Sequence, residues 1–415
     1  MYITLYANEK GELLDYPGKG MLGQTGQKWV IPEDNEMIPL PKGASLVTVP
    51  GKIPAAINSA GRLICLEKGP IIGQKVYAVA ALLPQGFTRT LLPACVSKNH
   101  QEIPLLGYAA VGLKNGKVYV AAVKTDVYKN WHPVNYNTST LPSKIEKMLK
   151  KYPKNRILKQ LARCSLEYNC YTAQNIFYCR WEGGIPTMKE CNAGCIACIS
   201  ESHYEVDSPQ NRINFKPDIK EITELMLNHL LNARQAIISF GQGCEGEPSL
   251  NAKDLSQAIV TVRETTAKGT INMNTNAGYT KGIKLMCDAG LDAIRVTMFS
   301  CIEGKYNFYH RPKDYRLDNV KRSIVYAKEQ GLQVSINLLT LPGFTDREEE
   351  IEHLIDFVIS NQIDMIQLRN LNIDPEYLKP VLEDKAKAVG IPHFINLLKK
   401  ELPGVIIGSY THSRD

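Results

Sequence analysis

The spacing of apolar and polar residues changes near the middle of the chain. Before about residue 126, short β-prone runs such as ASLVTVPG, KVYAVAALLP and GKVYVAAVKTD are separated by Gly, Pro and polar turn residues. Runs of this length between turn residues predict strands with little helix. We therefore expect a β-rich N-terminal domain over residues 1–140.

From about residue 177, an apolar run, a loop and an amphipathic helix repeat along the chain. The predicted strands lie around IFYCRWE and at AIISFGQG, TINMNTNAG, DAIRVTMFS, LQVSINLLTLPG and DMIQLRNLNIDP, with GVIIGSY as a further candidate. Helices are expected at AKDLSQAIVTVRETTA, KGIKLMCDAG and EEEIEHLIDFVI, and at the helical spacing of Leu317, Val320, Ile324 and Ala327. Gly290 and Gly331 follow two of these helices as stop signals.

This alternation predicts right-handed βαβ crossovers and a parallel sheet. Five or six such units can curl into a partial TIM barrel, so the expected fold class is α/β, (β/α)6-like, over residues 177–415, with a C-terminal extension. In such folds the chemistry lies on the loops that follow the carboxyl ends of the strands.

Residues 141–176 connect the two parts and are basic. Within them, the stretch SKIEKMLKKYPKNRILKQLAR contains eight Lys or Arg and a single Glu. We expect a helical connector interrupted at Pro153. A polyanion-binding segment is one interpretation. A solvated helix with a basic face is favoured, because a single aromatic residue, Tyr152, is interleaved in the stretch, too few for a base-stacking surface.

Composition narrows the class of protein. The 415 residues leave room for two domains, and 44% apolar with 22% charged residues is ordinary for a globular chain. The start of the chain lacks the pattern of a secretory signal, and its apolar runs are too short to cross a bilayer. A cytoplasmic location is therefore expected, without a membrane partner. Eleven cysteines in such a chain favour metal binding, catalysis or buried thiols over disulfides.

Three of these cysteines form a compact motif in ECNAGCIACIS. Cys191, Cys195 and Cys198 have the spacing C-x3-C-x2-C, with no fourth cysteine close behind. A closed zinc site or a ferredoxin-type [4Fe–4S] cluster takes four ligands. Three thiolates can bind three irons of a [4Fe–4S] cluster and leave the fourth iron open. The alternative is three free, buried thiols.

The motif resembles the hallmark of the radical S-adenosylmethionine (radical SAM) superfamily, which follows the first strand of a partial TIM barrel. The resemblance implies that the open iron chelates the amino and carboxylate groups of SAM. It further implies that an external one-electron reductant, flavodoxin or ferredoxin, supplies the electron that cleaves SAM to a 5′-deoxyadenosyl radical. The family usually has an aromatic residue before the last cysteine, where this chain has Ala197.

Further motifs occur in the order that this resemblance implies, over about residues 177–375. In GQGCEGEPSL, a G-E-P element corresponds to the family's contact with the SAM ammonium, and NTNAG resembles the turn after the third strand. The fourth and fifth strands carry polar residues at positions of ribose and carboxylate contacts. The implied cofactor-binding residues are Gly246, Glu247, Pro248, Asn274, Asn276, Arg295, Ser300 and Asn337.

Several of these residues have a simpler interpretation. Glu247 could cap the helix that follows it, and Arg295 could be a surface or salt-bridge residue. Asn274 and Asn276 could serve turn chemistry.

Other cysteines lie near the motif. Cys164, Cys170 and Cys179 could form a second metal site with Cys244 or Cys301, but their C-x5-C-x8-C spacing fits no specific motif. Buried thiols are the favoured interpretation. Cys244, beside the G-E-P element, could be a partner for hydrogen-atom transfer or a small apolar residue.

The leading hypothesis is thus a SAM-cleaving enzyme whose substrate is a peptide or protein, an RNA or a small molecule. The N-terminal domain is expected to cap the barrel or to recognise a macromolecular substrate. The alternative is an RNA- or protein-binding module stabilised by a metal, without radical chemistry. An activating enzyme that installs a glycyl radical is a third hypothesis, disfavoured by the long N-terminal region.

Overall fold

The computed structural model describes residues 1–70, 74–97, 103–127, 129–202, 208–383 and 386–412. A β-rich region comes first, a helical segment follows, and a sheet of parallel strands with flanking helices completes the chain. Within the described ranges, every helix is too short or too polar to cross a membrane.

The β-rich region is built on antiparallel strands. Its largest sheet runs in the order β10-β15-β14-β1-β2-β7-β12, and the predicted runs ASLVTVPG, KVYAVAALLP and GKVYVAAVKTD form β6, β9 and β15. The β-rich character predicted from the sequence is confirmed. The strands are β1 (Ile3–Ala7), β2 (Leu13–Met21), β3 (Gly23–Thr25), β4 (Lys28–Val30), β5 (Met37–Pro39), β6 (Ser45–Thr48), β7 (Lys52–Ile57), β8 (Leu63–Cys65), β9 (Tyr77–Leu82), β10 (Phe87–Arg89), β11 (Leu92–Pro93), β12 (Cys95–Ser97), β13 (Tyr108–Ala109), β14 (Val111–Lys114) and β15 (Lys117–Lys124).

The basic connector is helical on both sides of Pro153. It contains α1 (Leu141–Lys151), α2 (Arg156–Leu166) and α3 (Tyr171–Tyr178). The Asn155 side chain caps α2 by accepting a hydrogen bond of 2.9 Å from the Leu158 N–H. Most apolar residues of α1 and α2 are buried while most of their lysines are exposed, as on a solvated amphipathic helix.

The parallel sheet follows directly. The strand predicted around IFYCRWE is shorter than expected, because IFY completes α3 and β16 begins at Arg180. The elements are β16 (Arg180–Gly184), α4 (Ile219–Asn232), β17 (Arg234–Phe240), α5 (Ala252–Thr265), β18 (Thr270–Thr275), α6 (Thr280–Asp288), β19 (Ala293–Met298), α7 (Glu303–His310), α8 (Leu317–Glu329), β20 (Gln333–Thr340), α9 (Glu348–Ser360), β21 (Met365–Asn370), α10 (Lys379–Leu382), α11 (Ile391–Glu401) and β22 (Ile406–Gly408).

Strands β16 to β22 pair in sequence order, each parallel to the next, which confirms the predicted partial barrel. The spacing that predicted α8 is realised, because Val320, Ile324 and Ala327 are fully buried against the sheet. Gly290 and Gly331 follow their helices with positive φ angles of 104° and 76°, a conformation that favours glycine.

The β-rich region contacts the carboxyl ends of the barrel strands. The buried Arg89 guanidinium donates to the Tyr108 carbonyl at 2.9 Å and to the Leu371 carbonyl, just after β21, at 3.0 Å. The Arg89 N–H donates to Asn370 Oδ1 at 2.8 Å, and Asn370 Nδ2 donates to the Phe87 carbonyl at 3.0 Å. The two parts therefore meet at the edge of the sheet where such folds carry their chemistry.

Candidate active site

The cysteine loop follows β16, and the end of α7 fixes its backbone. The Gly194 N–H donates to the His310 carbonyl, and the Ile196 N–H donates to the Tyr309 carbonyl, both at 3.0 Å. The last carbonyls of a helix have no partner within it, and here the loop supplies their donors. Arg311 ends α7 in the left-handed region, with a φ of 45°. The conformation of the loop thus depends on a helix more than 100 residues further along the chain.

The three thiols of the motif interact with one another. Burial, followed by the Glu247 carboxylate, raises the pKa of Cys191 to about 11. Burial also raises the pKa of Cys195, and the neighbouring Cys198 and Cys191 raise it further. Burial and the neighbouring acidic groups thus favour the protonated form of Cys191 and Cys195. A bound cationic metal reverses this effect, because it favours the thiolate form of its ligands.

Two of the cysteine sulfurs have nitrogen donors beside them. His310 Nδ1 lies 3.4 Å from Cys195 Sγ, and the Phe299 N–H donates to His310 Nε2 at 3.2 Å. Burial lowers the pKa of His310 to about 3, so the ring is neutral. Because Nε2 accepts a hydrogen bond, the proton is on Nδ1 and points to the sulfur. Arg212 Nη2 lies 3.8 Å from Cys198 Sγ.

The G-E-P element packs against the start of the cysteine loop. The Gly246 N–H donates to the Met188 carbonyl at 2.7 Å, and the Glu247 N–H donates to the Glu190 carbonyl at 2.9 Å. A Cβ atom on Gly246 would collide with the Glu190 carbonyl. This close approach of two backbones explains why glycine is needed here.

Glu247 joins the loops after β17 and β18. Its Oε1 accepts from Thr275 Oγ1 at 2.5 Å and from the Ser249 N–H at 3.1 Å, and its Oε2 accepts from the Asn276 N–H at 2.8 Å. Asn276 Nδ2 donates to Asn192 Oδ1 at 2.8 Å and so reaches the cysteine loop. The capping and turn interpretations are thus realised for Glu247 and Asn276. Burial raises the pKa of Glu247.

Glu245 was missed by the sequence reasoning. Its buried carboxylate accepts from the Gly241 N–H at 2.5 Å, from the Thr187 N–H at 2.7 Å and from the Met188 N–H at 3.3 Å. Burial raises the pKa of Glu245 to about 8. Its side chain connects the loops after β16 and β17, but a glutamate between Cys244 and Gly246 carries no signal in the sequence that distinguishes it from a surface residue.

Arg295 lies inside the barrel and forms a buried ion pair with Glu182, whose Oε1 accepts from Arg295 Nη2 at 2.7 Å. The guanidinium also donates to Gln367 Oε1 at 2.9 Å and to Asn274 Oδ1. Glu182 Oε1 accepts in addition from Ser239 Oγ at 2.6 Å. The salt bridge considered as the simpler interpretation of Arg295 is therefore present, and Glu182 and Gln367 are partners that the sequence did not reveal.

The side chains of Ser300 and Asn337 form their hydrogen bonds with residues outside the cysteine loop. The Ser300 hydroxyl donates to Glu350 Oε2 at 2.8 Å, on the outer helix α9. Asn337 Nδ2 donates to Thr297 Oγ1 at 3.4 Å, while Asn337 Oδ1 is buried with no hydrogen-bond partner among the described residues. The structure thus brings the loops after β16, β17 and β18 together, but it does not join Ser300 to them.

All eleven cysteines are free thiols. Cys164 contacts Cys244, with 2.8 Å between their Sγ atoms, and Cys179 ends α3 in the left-handed region. In the parts of the chain that the structure describes, no group of three or more His, Cys, Asp or Glu side chains is arranged to bind a single metal ion.

Part of the parallel-sheet region is similar to known proteins. Residues 185–358 match the model of the radical SAM superfamily. A curated relative is the GTP 3′,8-cyclase of Aquifex aeolicus (strain VF5), 24% identical over 224 residues, which are 52% of this chain and 63% of the relative. The match therefore leaves more than a third of that relative uncovered.

Two solved structures are similar to this chain at low sequence identity. Methylornithine synthase (PylB) is 14% identical with a TM-score of 0.38, and the match covers 63% of this chain and 77% of that chain. HydG, a maturase of the [FeFe]-hydrogenase, is 13% identical with a TM-score of 0.37, covering 63% of this chain and 65% of that one.

Proposed function

We propose that this chain, whose residues 185–358 match the model of the radical SAM superfamily, is an enzyme that reductively cleaves SAM at a [4Fe–4S] cluster and abstracts a hydrogen atom from a substrate through the 5′-deoxyadenosyl radical. The observation that carries the proposal is the chain of hydrogen bonds between the loops after three consecutive strands. Asn192 bonds to Asn276, the Asn276 N–H bonds to Glu247, and the Glu247 N–H bonds to Glu190.

The donor set fits the cluster that we propose. Cys191, Cys195 and Cys198 supply three soft sulfur ligands on one loop, and the N–H donors of His310 and Arg212 face two of the sulfurs. Hydrogen bonds to ligand sulfurs are a common means of tuning iron–sulfur sites. When bound, the cluster supplies one electron to the sulfonium of SAM.

Glu247 is the residue to which we assign the SAM ammonium, with Gly246 and Pro248 shaping the turn. Its carboxylate is buried beside Cys191, and charge-assisted hydrogen bonds to a cation are strongest where water is excluded. Contacts of SAM or substrate with Asn274, Asn276, Arg295, Ser300 and Asn337 remain predictions.

We assign a capping role to the β-rich region, because it covers the carboxyl ends of β20 and β21. The Gly26 N–H donates to the Pro342 carbonyl, just after β20, at 2.9 Å. A cleft of about 500 Å³ between the two parts is lined by aromatic and charged side chains, among them Trp29, Lys52, Tyr108 and Asp374. Such a lining suits a polar substrate group. A flavodoxin or ferredoxin is the proposed reductant.

Anaerobic reconstitution with iron and sulfide tests this function. We expect an absorbance shoulder near 400 nm, and 5′-deoxyadenosine after addition of dithionite and SAM. The Cys195→Ala variant should lose both signals. The Cys287→Ala variant, which removes a thiol on the outer helix α6, is the matched control and should keep them.

Two outcomes would overturn the proposal. A fully loaded cluster that yields no 5′-deoxyadenosine would argue against SAM cleavage, and a Cys195→Ala variant that keeps its cluster would contradict the ligand assignment. A colourless protein containing stoichiometric zinc would instead support the metal-stabilised binding module.

A further inference from the structure

Two buried cysteines outside the cysteine loop lie in direct contact. Cys164 is on α2, and Cys244 is in the loop between β17 and Glu247, with 2.8 Å between their Sγ atoms. This separation is shorter than the normal packing distance of two unbonded sulfur atoms and longer than the disulfide bond of about 2.05 Å. Both residues are at most 2% exposed. A short movement of either sulfur is enough to form a bond.

The surroundings make Cys164 the more acidic thiol of the pair. The hydrogen bond between the two sulfurs lowers the pKa of Cys164, and Gln160 Nε2 donates to the Cys164 sulfur at 3.4 Å. That hydrogen bond and burial raise the pKa of Cys244. Cys170, the next thiol along the chain, instead contacts Thr172 Oγ1 at 3.3 Å. Cys164 therefore ionises more readily and is the favoured nucleophile, and the contact of 2.8 Å positions Cys244 to react with its oxidised form.

We propose that Cys164 and Cys244 are an oxidation site at which hydrogen peroxide produces a reversible disulfide. The Cys164 thiolate attacks one peroxide oxygen, the O–O bond breaks, and hydroxide leaves and takes up a proton. The Cys244 sulfur then attacks the resulting sulfenic acid, the S–O bond breaks, and water leaves with the Cys244 proton. In total, two thiols and one peroxide give one disulfide and two waters, with two electrons passing from sulfur to oxygen.

The disulfide would connect α2, which precedes the cysteine loop in the chain, with the loop after β17, which follows it. Its two ends are 80 residues apart in sequence, and the segment between them contains Cys191, Cys195 and Cys198. Cys244 has a φ of 73°, so the loop that carries Glu245 and Glu247 is already strained at this residue. Closing so long a segment restricts the unfolded chain, and the oxidised metal-free protein should melt several degrees higher than the reduced one.

Peptide mapping tests the proposal without reference to SAM cleavage. The full-length protein is treated with hydrogen peroxide or with dithiothreitol, its free thiols are blocked with iodoacetamide, and it is digested with trypsin. Cys164 lies in peptide 164–180, with Cys170 and Cys179, and Cys244 lies in peptide 235–253. We expect a cross-link of these two peptides after peroxide, and its loss after dithiothreitol.

Variants identify the linked residues. Cys164→Ser and Cys244→Ala should abolish the cross-link, and Cys170→Ser, the matched control, should keep it. If Cys164→Ser fails to fold, fragmentation of the wild-type cross-linked peptide identifies the bonded cysteine. The proposal is overturned if Cys164 and Cys244 are fully alkylated after peroxide, or if the cross-link starts at Cys170 or Cys179. The triple variant with Cys191, Cys195 and Cys198 changed to Ala should form the same cross-link without any cluster.

Discussion

His310 Nδ1 lies 3.4 Å from Cys195 Sγ and carries the proton of a neutral imidazole, since the Phe299 N–H donates to Nε2. The same residue accepts the Gly194 N–H at its carbonyl, so His310 contacts the cysteine loop through both its backbone and its side chain. A histidine at the end of a helix after the fourth barrel strand thus becomes part of the surroundings of a proposed ligand sulfur.

Removing the His310 side-chain donor should lower the reduction potential of the reconstituted cluster. An N–H···S hydrogen bond stabilises the more negative, reduced cluster, so His310→Leu should shift the midpoint by tens of millivolts to more negative values. A potentiometric titration followed by electron paramagnetic resonance measures the shift. His310→Asn, which keeps a donor near Nδ1, should recover part of it, and His353→Leu on the exposed side of α9 should leave the midpoint unchanged. Equal midpoints for His310→Leu and wild type would exclude the hydrogen bond.

Gly246→Ala should reduce cluster loading severalfold. The added Cβ collides with the Glu190 carbonyl, one residue before Cys191, and must displace the cysteine loop. Iron and sulfide content after reconstitution, with absorbance near 400 nm, measures the loss. Gly304→Ala on α7 is the matched control, since a Cβ there meets no atom within 4 Å. Normal loading of Gly246→Ala would show that the loop tolerates the displacement.

Breaking the Arg295–Glu182 ion pair should destabilise the barrel. The two side chains are 7% and 3% exposed, so removing either partner leaves a buried charge and should cost about 3–5 kcal/mol of unfolding free energy. We expect Arg295→Met and Glu182→Met each to lower the urea midpoint. The double variant should lose much less than the sum of the two single losses. If the two single losses of unfolding free energy were additive, the two side chains would have no interaction free energy.

Stability should fall in acid through His229. Its Nε2 donates to the Trp181 carbonyl at 2.8 Å, and its Nδ1 is buried with no hydrogen-bond partner among the described residues. Burial lowers the pKa of His229 to about 4, below the value of about 6.5 in the unfolded chain. The folded state therefore binds fewer protons, and the stabilisation present above pH 6.5 is lost as the pH falls towards 4, by up to about 3 kcal/mol.

Urea unfolding of the metal-free protein between pH 7 and pH 4.5 measures this effect. Other groups titrate in the same range, so the quantity to compare is the difference in slope between wild type and His229→Gln. The variant should show a weaker decline, and parallel curves for the two proteins would contradict the assignment.

Glu247→Gln should weaken SAM binding by at least about tenfold while the cluster remains loaded, because a charge-assisted hydrogen bond to the ammonium becomes a neutral one. Isothermal titration calorimetry with SAM on the anaerobic, cluster-loaded protein measures the affinity. Glu264→Gln on the exposed side of α5 is the matched control and should bind SAM normally. Unchanged affinity in Glu247→Gln would remove this residue from the proposed cofactor site.

The sequence predicted the barrel well because its signals are local. Periodic apolar residues followed by Gly290 and Gly331 define α6 and α8 without knowledge of the rest of the chain. Helices α4, α7, α10 and α11 were not predicted from the sequence. In α7, only Tyr306, Tyr309 and His310 are buried, which is too short a pattern to identify, and α3 was partly assigned to the first strand.

For the site, the spacing of Cys191, Cys195 and Cys198 predicts a metal-binding loop and the G-E-P element predicts its neighbour, because the residues of each motif lie close together in the sequence. Only the tertiary structure decided that His310 faces Cys195, that Arg295 pairs with Glu182 across 113 positions, and that Cys164 contacts Cys244 across 80. These contacts depend on how strands and helices pack, and packing brings together residues whose separation in sequence carries no periodic signal.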